Sequence, residues 1–357
     1  MSGGKTRIVL EDIQRKCKNT FKAEGLLLQL NCLRREVFSW CAKGILALNS
    51  IGKIYITDQL IREVHLKMLG LVDTSKVSNL TGQDEDHINL IFDLVKDEAK
   101  QTLQLLRGMS LPMDARILEV GAGYGLASIC FAMMGFSVTA LEPGGTGFED
   151  YVGTSSAFAQ MCGVEIEHLE SGAETACFAD KPLFDLIISN NVLEHVHEID
   201  RAISNLATVL KRDGIMVHSC PNYSFPYEPH FGLPLVPFFP AITKYFLPKR
   251  IRKSSLWNSL NFITARRAKK MFQSNGLCVR FRKGTMTTGI FRVRNEKIFA
   301  ARHQKLHKLF SIDIIYEITR RILRVPVLVA SPMDILVCYP EQQYNLNIYH
   351  WLLAQDE

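Results

Sequence analysis

The stretch Ile117–Ser128, ILEVGAGYGLAS, decides the fold. Ile117, Leu118 and Val120 predict a buried strand, Gly121, Gly123 and Gly125 a tight turn, and the residues after them the start of a helix. Such a turn lets the backbone approach a ligand closely, and a helix start offers unpaired N–H groups. Taken alone, G-x-G-x-G also describes an ordinary strand–helix turn. Three further features at the right distances sharpen it.

Glu119 stands two residues before Gly121, where its carboxylate can brace the loop or meet a cationic amino group. SVTALEP forms a second apolar strand ending in Glu142, and a carboxylate at the tip of a neighbouring strand can accept hydrogen bonds from both hydroxyls of a ribose. FDLIISNNVLEHV (Phe184–Val196) is another strand that stops on polar residues at the same expected sheet edge. With these residues the chain resembles the class I S-adenosylmethionine-dependent methyltransferases, the small-molecule type with E-V-G-x-G-x-G and L-E-H-V signatures. The resemblance covers Asp114–Asn222 well and extends more loosely to Pro340. A nicotinamide dehydrogenase would prefer G-x-G-x-x-G, and here the third glycine comes one residue early.

The resemblance implies an α/β, Rossmann-like fold with a mostly parallel seven-stranded sheet, helices on both faces, an N-terminal helical region and inserted lid segments. It implies S-adenosyl-L-methionine as cofactor, held by Glu119, Gly121, Ala122, Gly123, Gly125 and Glu142. Ala173 and Glu174, in the SGAET that follows the expected third strand Val164–Glu170, match the family position that meets the adenine. Asn190 and Asn191 fall where the methionine portion sits.

Residues 1–110 mix apolar and charged residues at helical spacing and are expected to form a helical cap. Alternating strand and helix patterns then predict the catalytic domain over 111–340, with a tail over 341–357. Two inserted segments depart from the pattern, at 223–259 and 287–332. The first carries six prolines within Tyr223–Ser255, which excludes a long helix. It places Tyr223, Tyr227, Glu228 and His230 beyond the fifth strand and is the expected acceptor pocket and lid, with Tyr223 and Tyr227 as substrate-binding residues. Thr264 is expected to cap a helix that stops at Gly276, and residues 300–325 to form one basic amphipathic helix.

The chain of 357 residues is 47% hydrophobic and 22% charged, enough to bury a full core. Its start lacks an apolar signal core, so a cytoplasmic location is expected. Nine scattered cysteines without C-x-x-C pairs suggest buried free thiols. The net charge is +6, yet Lys249–Arg324 holds 20 Lys and Arg against three acids. That asymmetry suggests an anionic partner: a phosphate-bearing or glycan acceptor, a membrane surface or nucleic acid.

If the acceptor is a hydroxyl, a base assists; His195 and His230 are the candidates, with Glu228 orienting. Related enzymes acting on RNA ends or quinol rings bind a divalent ion through E-x-x-E-H and a distant histidine. Here Asn191, Glu194, His195 and His230 match, but Asn191 removes one carboxylate, so no essential metal is expected. The acceptor is expected to be a small molecule, saccharide or lipid-linked compound, methylated at oxygen, with possible peripheral membrane contact. RNA methylation is an alternative that lacks a recognised RNA-binding module. A cofactor-binding protein without catalysis is the other alternative.

Overall fold

A computed structural model describes residues 52–144, 150–179, 181–296, 300–301, 303–322, 326, 328–343 and 351. By its contacts the chain divides between Leu46 and Ala47, and every described residue lies in the second unit. Expectations for residues 1–51, 145–149 and most of the tail lie outside the described residues.

The unit begins with β1 (Lys53–Tyr55), followed by α1 (Asp58–Leu71), α2 (Thr74–Thr81), α3 (Glu85–Gln104) and β2 (Ser110–Pro112). Side-chain oxygens of Thr57, Asp73 and Asp84 cap the three helices by accepting from backbone N–H groups. Residues 58–104 are thus helical, as expected of the run before 110. The run also contains an antiparallel pair, Ile54 opposite Leu111, where KIYI supplies the branched and aromatic residues a strand favours.

The alternating part follows as β3 (Arg116–Val120), α4 (Leu126–Met133), β4 (Ser137–Leu141), α5 (Tyr151–Met161), β5 (Glu167–Leu169), β6 (Phe184–Asn190), α6 (Ile199–Val209) and β7 (Leu210–Cys220). The 223–259 segment holds the two-residue pair β8 (Tyr227–Glu228) and β9 (Leu233–Pro234), then short helices α7 (Lys249–Arg252) and α8 (Ser255–Ser259). The chain continues with α9 (Ala265–Ser274), β10 (Cys278–Phe281), α10 (Thr285–Asn295), α11 (Gln304–Phe310), α12 (Asp313–Ile322) and β11 (Met333–Cys338).

Seven strands form one sheet in the order β10-β11-β7-β6-β3-β4-β5, with β11 antiparallel to both neighbours and the other pairs parallel. The inner strands are almost continuously buried, as a parallel sheet covered on both faces requires. On one face, α6 and α9 pack Ile203, Leu206, Ala268 and Phe272 against Ile187, Met216 and Ile335. All eight residues of α4 are buried, consistent with a helix held between the sheet and α3.

Strands β3, β4 and β5 step outward on one side, and β6 returns on the other side of β3. This reversal makes a crevice at the carboxyl ends of β3, β4 and β6, the place where open α/β sheets bind ligands. Register aligns the ends: Val120 faces Leu141, and Glu119 faces both Ala140 and Ile188.

Three local expectations change. The third strand begins at Glu167 rather than Val164, because the Val164 N–H donates to Ala159 and is still closing the end of α5. The helix expected over 300–325 is two helices, α11 and α12, interrupted at Ser311 and Ile312. Among the described cysteines, Cys130, Cys220 and Cys338 are buried free thiols, while Cys177 is exposed. Among the described residues no helix is long and apolar enough to cross a membrane.

Candidate active site

The β3–α4 turn is held by its own protein neighbours. Gly121, Gly123 and Gly125 all have positive φ, at 69°, 52° and 73°. A Cβ on Gly121 would lie 2.3 Å from Cγ2 of Val192, and one on Gly125 would lie 2.3 Å from Oγ of Ser155. The glycines thus let the loop nest against the β6 loop and α5. The N–H of Gly123 donates to Oε2 of Glu142 at 3.0 Å, and the Tyr151 hydroxyl donates to the Glu142 carbonyl. Burial raises the Glu142 carboxyl above its ordinary range, against the Gly123 and Gly144 amides that lower it. Glu119 is buried, accepts from the Ser128 hydroxyl at the start of α4, and is pushed up to about 7, chiefly by burial.

Glu119, the glycine turn, Glu142 and Val192 line a cavity of about 1070 Å³. Asn205 donates to the carbonyls of Ala173 and Glu174, fixing the turn after β5 at its wall. Asn190 donates to Thr102 of α3, and Asn191 turns the chain at φ 57°. An apolar part of the lining is built by Met286, Ile290 and Val293 of α10 with Leu306 and Phe310 of α11, which pack together as one cluster.

Three polar side chains are brought together from segments on either side of β7 in sequence. Oε1 of Glu194 lies 3.8 Å from Nε2 of His195 and 3.8 Å from Nε2 of His230. Neither carboxylate oxygen of Glu194, a fully buried residue, has a hydrogen-bond partner among the described residues. Nδ1 of His230 meets Oε1 of Glu228 at 2.5 Å, so the ring donates there and turns Nε2 inward. Nδ1 of His195 meets the Ser259 hydroxyl at 2.7 Å, and that hydroxyl already donates to the Leu256 carbonyl. The His195 ring must therefore donate at Nδ1, which leaves its Nε2 lone pair facing Glu194 as well.

Burial sets the protonation of His195 and of the Glu194 carboxylate beside it. Burial, reinforced by His230, pushes His195 down to about 4. Glu194 is raised to about 7 by burial, opposed by His230. Burial alone would raise Glu228, but hydrogen bonds from His230 and the Phe231 amide hold it below its ordinary range. Glu228 is thus an ionised anchor for His230, while His195 is a neutral ring with little affinity for a proton.

A family model described as a methyltransferase domain matches residues 94–280, just over half of the chain. The chain is a member of that methyltransferase family. It is 33% identical over 200 residues to an uncharacterized protein of Mycobacterium tuberculosis, covering 54% of this chain and 67% of that one. A ubiquinone biosynthesis O-methyltransferase of Rickettsia conorii is 31% identical over 163 residues, covering 41% of this chain and 53% of the enzyme. Similar solved structures include the YcgJ protein of Bacillus subtilis (TM-score 0.37, 20% identity, 63% of this chain and 91% of that one). Another is the cyclopropane synthase MmaA2 of M. tuberculosis (TM-score 0.40, 14% identity, 66% and 81%).

The S-adenosylmethionine-dependent methyltransferase presents a crevice that suits its cofactor. Glu142 stands at a strand tip with its carboxylate already turned to the glycine loop, and the cavity exceeds the ~300–1,000 Å³ of ordinary small-ligand sites. All ten expected cofactor residues line this cavity, together with Tyr227, His195 and His230. Two expected residues do not. Tyr223 is buried with its ring against Phe262, and its hydroxyl donates to Glu228. Glu228 itself is buried behind His230 and acts through it. Sequence reasoning missed the wall residues Glu98 and Thr102 of α3, Phe225, and His303, whose Nδ1 is hydrogen-bonded to the Tyr227 hydroxyl at 2.6 Å. Only the helical spacing of the 300–325 stretch hinted at the apolar wall.

Proposed function

We propose that this methyltransferase acts on a hydroxyl of an amphiphilic acceptor, with His230 as the base. The observation that carries the reading is His230 held between ionised Glu228 and the cavity, beside an apolar chamber. S-adenosylmethionine held in the crevice would supply an electrophilic methyl group to the acceptor oxygen, with S-adenosylhomocysteine as the leaving product. Nε2 of His230 takes the hydroxyl proton, and Glu228 stabilises the resulting imidazolium through Nδ1. The apolar wall of α10 and α11 holds the acceptor body and excludes water, which keeps oxygen and methyl at attack distance. Among the described residues Arg292 is the one Lys or Arg in the wall, and Glu296 already pairs with it, so an apolar acceptor fits better than a polyanion. The ubiquinone biosynthesis O-methyltransferases among the relatives support oxygen as the target, although the chain spans only about half of that first enzyme. Incubating a lipid extract with methyl-labelled cofactor and identifying the product by mass spectrometry tests this. Label on a nitrogen or carbon, or only in water-soluble products, rejects it.

One observation favours a second reading with a divalent cation, against the expectation drawn from Asn191. Two imidazole lone pairs and an unpartnered carboxylate converge, and their ligand atoms lie within 4.8 Å of one another. Ser259 and Glu228 fix both rings from behind, as the outer partners of metal-binding histidines do. A cation held by Glu194, His195 and His230 would supply Lewis acidity to the acceptor hydroxyl.

Glu194→Gln separates the readings by stability. A carboxyl raised from 4.5 to about 7 on folding favours the native state fully below pH 4.5, and that contribution is lost as pH rises through 7. With a chelator present, the stability difference between wild type and Glu194→Gln should therefore shift by about 3 kcal/mol against the wild type between pH 4.5 and 8. Glu119 titrates in the same window in both proteins and cancels from the difference. On the metal reading, added manganese or zinc at pH 8 raises the melting temperature of wild type but not of Glu194→Gln. An equal response from both excludes the cation.

A further inference from the structure

The residues between β9 and α8 form a surface that the active site does not use. Phe238 is 95% exposed and Phe246 is 76% exposed; Phe239, Ile242 and Tyr245 are exposed beside them in sequence. This is an ordered presentation of apolar rings. Thr243 is buried and its hydroxyl accepts from the Val236 N–H at 2.9 Å, while the Phe239 and Ile242 N–H groups close turns on Val236 and Phe239. Phe238 keeps a positive φ of 66°, an unusual backbone state for a ring that finds no cover. Lys244 lies among them, and Lys249, Arg250, Arg252 and Lys253 follow. None of these five forms an ion pair among the described residues, and no Asp or Glu occurs between Glu228 and Glu296. Scattered exposed apolar residues are ordinary, but five within nine positions beside unopposed cations are not.

We propose that residues 236–253 dock this enzyme on an anionic lipid bilayer, with the aromatic tip inserted at headgroup depth and the cations against the lipid phosphates and carboxylates. Two properties of the surface favour a bilayer over a folded partner or RNA. The tip combines three phenylalanines with an isoleucine, which gain from hydrocarbon, and the one polar group among its five exposed apolar side chains is the hydroxyl of Tyr245, a residue type suited to the headgroup level. Four of the five cations follow the apolar tip along the chain and Lys244 lies within it, as in interfacial anchors that use an apolar and an electrostatic signal together. The surface also leads into the catalytic cavity. Lys253 is followed by α8, whose Ser255, Leu256 and Ser259 line the cavity, and Ser259 holds His195. An enzyme docked in this way draws its acceptor from the bilayer; that step rests on the amphiphilic-acceptor reading, whereas the docking does not.

The test is co-sedimentation of the full chain with vesicles of phosphatidylcholine, with and without phosphatidylserine. Wild type should bind the serine-containing vesicles at least about tenfold more tightly, since each cation near an anionic surface contributes roughly fivefold. Phe238→Ser/Phe239→Ser/Phe246→Ser should weaken this by about tenfold or more, and so should Lys249→Glu/Arg250→Glu. S-adenosylhomocysteine affinity and melting temperature should stay at wild-type values in both, which shows intact folding. Vesicle binding that is unchanged in both variants, absent at low salt, or replaced by tight binding of single-stranded RNA overturns the proposal. Vesicle binding without transfer of label to any lipid hydroxyl leaves the docking intact and rejects the acceptor reading alone.

Discussion

Gly121→Ala should weaken S-adenosylmethionine affinity about thirtyfold or more, and Val192→Ala in the same chain should restore part of it. Two costs combine at this position. An alanine at φ 69° pays ~1–2 kcal/mol for a left-handed backbone. Its Cβ would also lie 2.3 Å and 2.8 Å from the two Cγ atoms of Val192, an overlap of the kind that costs ~1–3 kcal/mol in packed protein. The free enzyme escapes by moving the loop away from Val192, and the cofactor must then reverse that movement to bind. A penalty of ~2 kcal/mol corresponds to roughly thirtyfold in affinity. Removing the two Cγ atoms with Val192→Ala relieves the overlap but leaves the backbone cost. Calorimetry on the wild type, both single variants and the double variant measures the coupling. Binding by Gly121→Ala at wild-type affinity, or a double variant no better than the single, contradicts the nesting of the turn on the β6 loop.

That turn was legible because each of its parts leaves a local mark: an apolar strand, glycines where φ is positive, and a carboxylate at the next strand tip. Thr264 likewise announced its helix, and its Oγ1 accepts from the Arg267 N–H. The catalytic cluster was only half legible. His195 and His230 are 35 positions apart in sequence, and their ring centroids come to 5.1 Å only after the chain has passed along β7 and turned at Asn222. No local pattern states that Glu194 is buried without a hydrogen-bond partner between them. Tyr223 lies outside the cavity lining. Its place just past a strand end suggests a pocket residue, yet the Asn222 amide oxygen accepts from the N–H groups of Ser224 and Ala265, and the Tyr223 N–H donates to Ile263. Those bonds tie the segment to the start of α9 and turn the ring inward.

The largest catalytic effect is expected at His230. His230→Gln should lower the rate of methyl transfer by about 10²–10⁴-fold, the usual share of a positioned base, while leaving S-adenosylhomocysteine affinity within about threefold. His195→Gln should cost far less, near tenfold, because a ring whose proton affinity burial has lowered to about 4 is a poor acceptor at neutral pH. Glu228→Gln should fall between them, since it keeps an oxygen for Nδ1 of His230 but removes the charge that stabilises the imidazolium. The positioning role of Glu228 has a signature that simple loss of fold does not share. In wild type the carboxylate stays ionised across the working range and favours protonation of His230, so Glu228→Gln should move the acidic limb of the pH–rate profile to lower pH. Cofactor affinity and melting temperature report separately on folding. A His230→Gln enzyme that turns over within about threefold of wild type assigns the proton elsewhere, as does a profile that does not move in Glu228→Gln. Loss of rate in His195→Gln equal to that in His230→Gln would instead match a site in which both rings hold one cation, and it would appear together with the manganese or zinc response of Glu194.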